Sequence, residues 1–143
     1  MILYGRAQGS AIWTSASSTV AALDVLAASN PASRFLITFH AGPQRFERAA
    51  SRLCRSWIAL GSEYYAVSVM LEDLLTLPNV TETDIDFILS HQDQAFGFWI
   101  WKPLIIEYFA STLAPGVMLC YVDAGCEINP TNQSIDRLDH YWD

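Results

Sequence analysis

The stretch RFLITFHAGPQRFERAASRLCRSWIALGSEYYAVSVM, residues 34–70, decides the fold. Its first seven residues, RFLITFH, are a β-prone run that enters a turn at Gly42-Pro43, and they read as a first core strand. Over residues 44–60, Phe46, Ala50, Leu53, Trp57 and Leu60 recur at alternating spacings of four and three, which is one apolar face of an α-helix. Gly61 closes that helix in the manner of a C-terminal glycine, and YYAVSVM, residues 64–70, follows as a second strand. Strand, helix, strand is a βαβ unit. Its two strands run parallel through a right-handed crossover, with the helix across one face of the sheet.

Working outward, residues 71–94 are acidic and less regular. They suggest a short helix over 72–77, a break at Pro78-Asn79 and a second helical piece over 82–90, in which Asp84 and Asp86 serve the electrostatics of the helix start. Residues 97–101 crowd Phe98, Trp99 and Trp101 together, and rings of that size are expected in the core or, alternatively, as a platform for a ligand. Lys102-Pro103 then starts a helix, with Pro at the first helical position where its missing N–H is not needed. Leu104, Ile105, Tyr108, Phe109 and Leu113 bury it, and Pro115-Gly116 ends it. VMLCYV, residues 117–122, carries no charge and almost no alternation, the pattern of a central parallel strand covered on both faces.

The flanks are less informative. Residues 1–33 form an Ala/Ser-rich segment in which Ser17 or Ser18 would cap a helix through about Ala28, before Asn30-Pro31 stops it. Beyond Asn129-Pro130 there is room for one helix over 134–141, with Asn132 as its cap and His140 on its exposed face. The expected organisation is therefore a helical N-terminal segment, 1–33, ahead of one α/β domain, 34–143.

Composition narrows the function. With 52% hydrophobic and 16% charged residues in 143, the chain has the make-up of a buried core rather than of a disordered segment. A formal charge of -7 with only eight Lys and Arg excludes a general nucleic-acid binder. Half of those basic residues, Arg45, Arg48, Arg52 and Arg55, share one stripe of the first helix. They read as a solvated face or, alternatively, as a surface for an anionic partner. Cys54, Cys120 and Cys126 show neither disulfide-framework nor CxxC spacing, which fits a reducing cytoplasm. No signal-peptide pattern opens the chain, and no apolar stretch reaches the roughly 20 residues of a membrane span.

The chemistry concentrates directly after the VMLCYV strand, at Asp123-Ala124-Gly125-Cys126-Glu127. In open α/β sheets ligands bind outside the carboxyl ends of strands, where a carboxylate can hold a divalent cation or a sugar hydroxyl and small residues admit a ligand to the backbone. No GxGxxG follows the first strand, which argues against a dinucleotide fold of the usual kind.

The blocks GFWIWKP (97–103) and YVDAGCEIN (121–129), in that order and at that separation, resemble a family of glycosyltransferases with the GT-A fold. The resemblance is carried mainly by residues 97–129, with weaker agreement in FLITF. It implies a Rossmann-like, mostly parallel sheet flanked by helices, of which this chain would be the donor-binding half. It also implies transfer of a sugar from a nucleotide-sugar donor to a glycan or other acceptor, as in polysaccharide biosynthesis. By the same resemblance, Asp123 is the first choice for metal or donor contact, Ala124 and Gly125 for close backbone approach, and Lys102 for a phosphate or sugar-side contact. Thr38 and His40 would lie on the donor side, with a base expected over residues 38–42. Glu127 would be a second carboxylate for Mn²⁺ or Mg²⁺. A strict DxD motif has an acid where this chain has Gly125. An acceptor-binding half of about another hundred residues would lie further downstream, judged by common domain sizes. The contrasting expectation, from another class, is a non-catalytic interaction module, with self-association through the aromatic cluster or the arginines.

Overall fold

A computed structural model describes the backbone of residues 1–7, 10–15, 32–129 and 131, with the side chains of 3–15 outside that description. The expected helix over 17–28 and the helix over 134–141, with Asn132 and His140, lie outside the described residues. The chain is of the α/β class, built on a five-stranded sheet in the order β2-β1-β4-β3-β5. The strands are β1 (Ile2–Ala7), β2 (Ser10–Ser15), β3 (Arg34–His40), β4 (Tyr64–Met70) and β5 (Met118–Tyr121).

The βαβ unit forms as the periodicity requires. Strands β3 and β4 are parallel, in register from Arg34 with Tyr64 to His40 with Met70. The helix between them, α1 (Gln44–Ile58), buries Ala50, Leu53, Cys54, Trp57 and Ile58. Two of the anticipated details differ. Phe46, on the expected apolar face, is 42% exposed, and the residues that α1 buries begin only at Ala50. Gly61 is absent from the left-handed residues, and the helix instead ends through Ala59 in an ordinary right-handed conformation.

Strand parity divides the core into two layers. Phe35, Ile37 and Phe39 of β3, with Val67 and Val69 of β4, face α5 (Trp101–Thr112), through Trp101, Ile105, Tyr108 and Phe109. Leu36 and Ala66 face the opposite way, onto Leu53, Cys54 and Trp57 of α1. Burial pushes the Cys54 thiol up to about 12, so it stays a protonated, inert core group. Between β4 and α5 lie α2 (Leu71–Leu74), α3 (Glu82–Ser90) and a single turn, α4 (Ala95–Phe98), whose residues all have positive φ. Thr81 caps α3 by accepting from the Asp84 N–H, and Asp84 accepts from the Thr81 N–H in return, a reciprocal capping box. The Thr81 bonds hold the Asp84 carboxyl below its ordinary value.

Three expectations need correction. The VMLCYV run is not the central strand: β5 pairs only with β3 among the described residues, and its four residues are half-buried. The lack of charge there reflects packing under α5 and α1 at a sheet edge, since Leu119 and Tyr121 join one core layer while Cys120 and Val122 join the other. The centre belongs to β3 and β4. The N-terminal segment, for which only helix was anticipated, contributes β1 and β2, which pair antiparallel, and β1 adds antiparallel to β4, Ile2 facing Ser68. Pro103 occupies the third position of α5 rather than the first.

The aromatic block is the other departure. Trp101 is buried, but Phe98 and Trp99 are 57% and 56% exposed. Ahead of α5 the backbone turns left-handed for five successive residues: Ala95, Phe96, Gly97, Phe98 and Trp99 have φ of 52, 53, 81, 54 and 63°. Four of these are not glycine, and each costs roughly 1–2 kcal/mol in that conformation. The turn is held by Gly97 N–H to His91 O (3.0 Å), Phe98 N–H to Gln94 O (2.8 Å) and the Trp101 indole N–H to Ala95 O (3.1 Å).

Candidate functional site

The parallel strands β4, β3 and β5 end along one edge, at Met70, His40 and Tyr121. At the β5 end the two sequence blocks meet. Lys102, in the first turn of α5, lies with Nζ 2.8 Å from Asp123 Oδ1 and donates to Oδ2 at 3.0 Å. The Tyr121 hydroxyl donates to Asp123 Oδ1 at 3.0 Å. The same ammonium stands 5.5 and 5.4 Å from the ring centroids of Trp101 and Tyr121, within range of cation–π attraction. Burial, reinforced by the Asp123 charge, pushes the Tyr121 phenol well above its ordinary value, so it remains an O–H donor. Cys126 N–H donates to Asp123 O at 2.9 Å and closes the loop into a turn.

Each part of this arrangement follows from local structure. Register with β3 carries Tyr121 opposite Ile37, and Val122 N–H extends the ladder to Ile37 O, which delivers Asp123 beyond the sheet edge. Packing of Trp101 and Ile105 on Phe39 and its neighbours fixes α5, whose first turn then presents Lys102 at the same edge. The Asp123 side chain is 57% exposed and that of Lys102 29%, so the pair contributes about 1 kcal/mol or less to folding. It is a group left open to solvent, with acceptor lone pairs and a third ammonium proton still available.

Ala124 is buried beneath the loop, and Gly125 is exposed, with nothing within 4 Å of where a Cβ would stand. Glu127 is exposed further along the loop. Thr38 and His40 sit elsewhere. Both lie on the α1 side of β3, like Leu36, whereas Lys102 comes from the α5 side. Thr38 is fully buried and its Oγ1 has no partner among the described residues. His40, 9% exposed, has its Nδ1 2.9 Å from Ser68 Oγ. It borders a cleft of about 230 Å³ with Ala41, Gly42, Glu47, Met70 and Glu72. Burial lowers the His40 pKa, while Glu47, Asp73 and Glu72 pull the other way. The structure thus joins Lys102 to Asp123 and leaves His40 in a separate cleft across the sheet edge.

Among the described residues no three His, Cys, Asp or Glu side chains converge on a metal-holding position. The one carboxylate at the strand end already holds an ammonium, Gly125 offers no second acid, and Glu127 is not brought to Asp123 by any described contact. The positive charge at this place comes from Lys102.

Sequence reasoning missed two features. The exposed left-handed turn over residues 95–99 had only Gly97 as its signal, since non-glycine residues seldom adopt that conformation. The arginine stripe of α1 was legible from spacing, but not the shallow groove of about 350 Å³ between Gln44, Glu47, Arg48, Ser51, Arg52 and Arg55. No described helix is long and apolar enough to cross a membrane. Compared with family models, with curated proteins and with solved structures, the chain matches none.

Proposed function

We propose that this chain is the donor-binding portion of a glycosyltransferase, binding a nucleotide-sugar for transfer of its sugar to a glycan or other acceptor. The reading rests on one observation: the two sequence blocks that resemble such enzymes meet in the Lys102–Asp123 pair at the carboxyl edge of the parallel strands. That edge is where open α/β sheets bind ligands. Glycosyl transfer expels a nucleoside diphosphate, and fixed positive charge must meet the charge growing on it. Lys102 would supply that charge, Tyr121 and Asp123 would hold its ammonium in place, and the loop over residues 123–127 would admit the ligand to the backbone. A GT-A-type arrangement of the sheet and a Mn²⁺ or Mg²⁺ requirement belong to the same proposal only in its broader form. In this reading Lys102 supplies positive charge whether or not such an ion is also held.

Any ligand that binds only the folded state raises its melting temperature. UDP, GDP, CDP and dTDP, each with and without Mn²⁺, are therefore the test, with Asp123→Ala as the control. A shift in the native chain that Asp123→Ala abolishes supports the reading; no shift with any of the four sinks it. The second reading, a non-catalytic interaction module, draws on the exposed arginine face of α1 with its groove. It requires self-association or partner capture that depends on Arg48 and Arg52 and ignores nucleotides.

A further inference from the structure

Among the described residues the sheet ends at β5, and the outer edge of that strand is open. Met118 N–H donates to Ser33 O at 3.1 Å and Val122 N–H to Ile37 O at 3.0 Å. Main-chain groups of alternate residues in a strand point to opposite sides, so Met118, Cys120 and Val122 turn theirs toward β3. Leu119 and Tyr121 turn theirs outward, where the N–H and C=O groups meet no partner among the described residues.

Sheet edges are ordinarily guarded against further pairing by charge, proline or a bulge. The run over residues 117–122 has no charge and no proline, and its register with β3 is unbroken from Met118 to Tyr121. Its side chains are only half-buried, so both core layers stop unfinished at this strand. An added strand would close both.

The edge is complementary to itself. Antiparallel neighbours exchange both bonds between residues whose main-chain groups face each other. With Leu119 opposite Tyr121 of a second copy, and Tyr121 opposite its Leu119, every outward N–H and C=O of both strands is paired. Cys120 then faces its own copy on the twofold axis and Met118 faces Val122, so all the facing side chains are uncharged. Neighbouring registers fail. A shift of two residues one way sets Tyr121 against Val117, whose N–H is already given to Ala114 O at 3.2 Å. The same shift the other way sets Asp123 against Leu119 and draws the Lys102–Asp123 pair into an apolar interface.

We infer that the β5 edge is a self-association interface, in which two copies of the chain pair antiparallel through Leu119 and Tyr121 and join their five-stranded sheets edge to edge. The Lys102–Asp123 pair of each copy lies just past the end of the paired strands and stays open. The interface does not involve the arginine face of α1, and it needs no nucleotide.

Cross-linking and sedimentation test it together. Facing residues of a non-hydrogen-bonded antiparallel pair have Cα atoms about 4.5 Å apart, within the span that a disulfide bridges. In Cys126→Ser, which removes the exposed thiol, mild oxidation with diamide is expected to give a reducible dimer, and the double variant Cys120→Ser, Cys126→Ser none. In sedimentation equilibrium the native chain is expected to dimerise. Leu119→Pro removes an outward N–H that the monomer does not use, a change that edge strands accept. It is expected to weaken the dimer at least about tenfold, a change of about 1.4 kcal/mol. Met118→Glu sets a carboxylate against Val122 of the second copy without touching either core cluster, and the same weakening is expected of it, which keeps the test intact if Leu119→Pro loses its far-ultraviolet circular dichroism. Arg52→Ala is expected to leave the dimer unchanged. A native chain that stays monomeric at about 1 mM overturns the inference. So does a dimer that loses strength in Arg52→Ala but in neither β5 variant, or one that forms no Cys120 cross-link.

Discussion

Gly97→Ala probes the strained turn most severely. At φ +81° a non-glycine residue loses roughly 1–2 kcal/mol to the left-handed conformation itself. The new methyl would also meet Phe87 Cδ1 at 3.1 Å, Ile100 Cγ2 at 3.2 Å and the Ile88 Cα at 3.3 Å. The first two atoms belong to side chains that can shift, but the third is backbone of α3 and cannot, so overpacking adds about 1–3 kcal/mol. Stiffening of the unfolded chain returns about 0.4–1 kcal/mol. The net loss is about 2–4 kcal/mol, a large part of the 5–15 kcal/mol that holds a typical domain. Urea denaturation followed by far-ultraviolet circular dichroism reads this as a midpoint lowered by about 1–2 M at unchanged slope. Ala95→Gly is the opposing variant: at φ 52° it relieves strain and should raise the midpoint. A Gly97→Ala loss below about 0.5 kcal/mol, the range of an ordinary surface change, would refute the account of the turn.

Other outcomes follow from the α1 side of β3, where Thr38 and His40 lie. Thr38→Val replaces a fully buried hydroxyl that has no partner among the described residues, and it should stabilise the fold by about 1 kcal/mol in the same denaturation assay. Destabilisation would show that the hydroxyl is paired. Burial holds the folded His40 pKa below its ordinary 6.5, so near that pH the unfolded chain binds more protons than the folded one. The His40 contribution is therefore complete above 6.5 and is lost as pH falls from there through the depressed folded value. Denaturation midpoints measured across that window should decline toward acid in the native chain and flatten in His40→Asn, and an unchanged slope in the variant would contradict the assignment.

The βαβ unit was legible because hydrophobic period decides it: RFLITFH, the four-and-three spacing of α1 and YYAVSVM each permit one reading. Strand order was less so. An uncharged run such as VMLCYV is produced equally by a central strand and by an edge strand packed between two helices, and what separates the cases is that, among the described residues, β5 pairs with β3 alone. The β1 strand, ILYGRA, interrupts its apolar pattern with Gly5 and Arg6, and its place beside β4 depends on long-range pairing that no local signal announces. In the site, Asp123 and Lys102 could be named from the two blocks, and the fold brings them into contact. Thr38 and His40 could not be placed by residue type, because alternation along β3 sends them to the α1 side while the pair forms with α5. Trp99 was grouped with Trp101 as core because spacing in sequence cannot reveal a left-handed turn between them.

The most direct test of the central claim, that the Lys102–Asp123 pair marks where a nucleotide-sugar is held, is calorimetric titration of UDP, GDP, CDP and dTDP into the native chain and into Lys102→Met. Because the pair is partly exposed, the variant should keep its unfolding midpoint within about 1 kcal/mol of the native chain. The account predicts that at least one of the four binds the native chain and that Lys102→Met weakens it at least about tenfold, equivalent to about 1.4 kcal/mol. Equal affinity in the two proteins, or binding in neither, would contradict it.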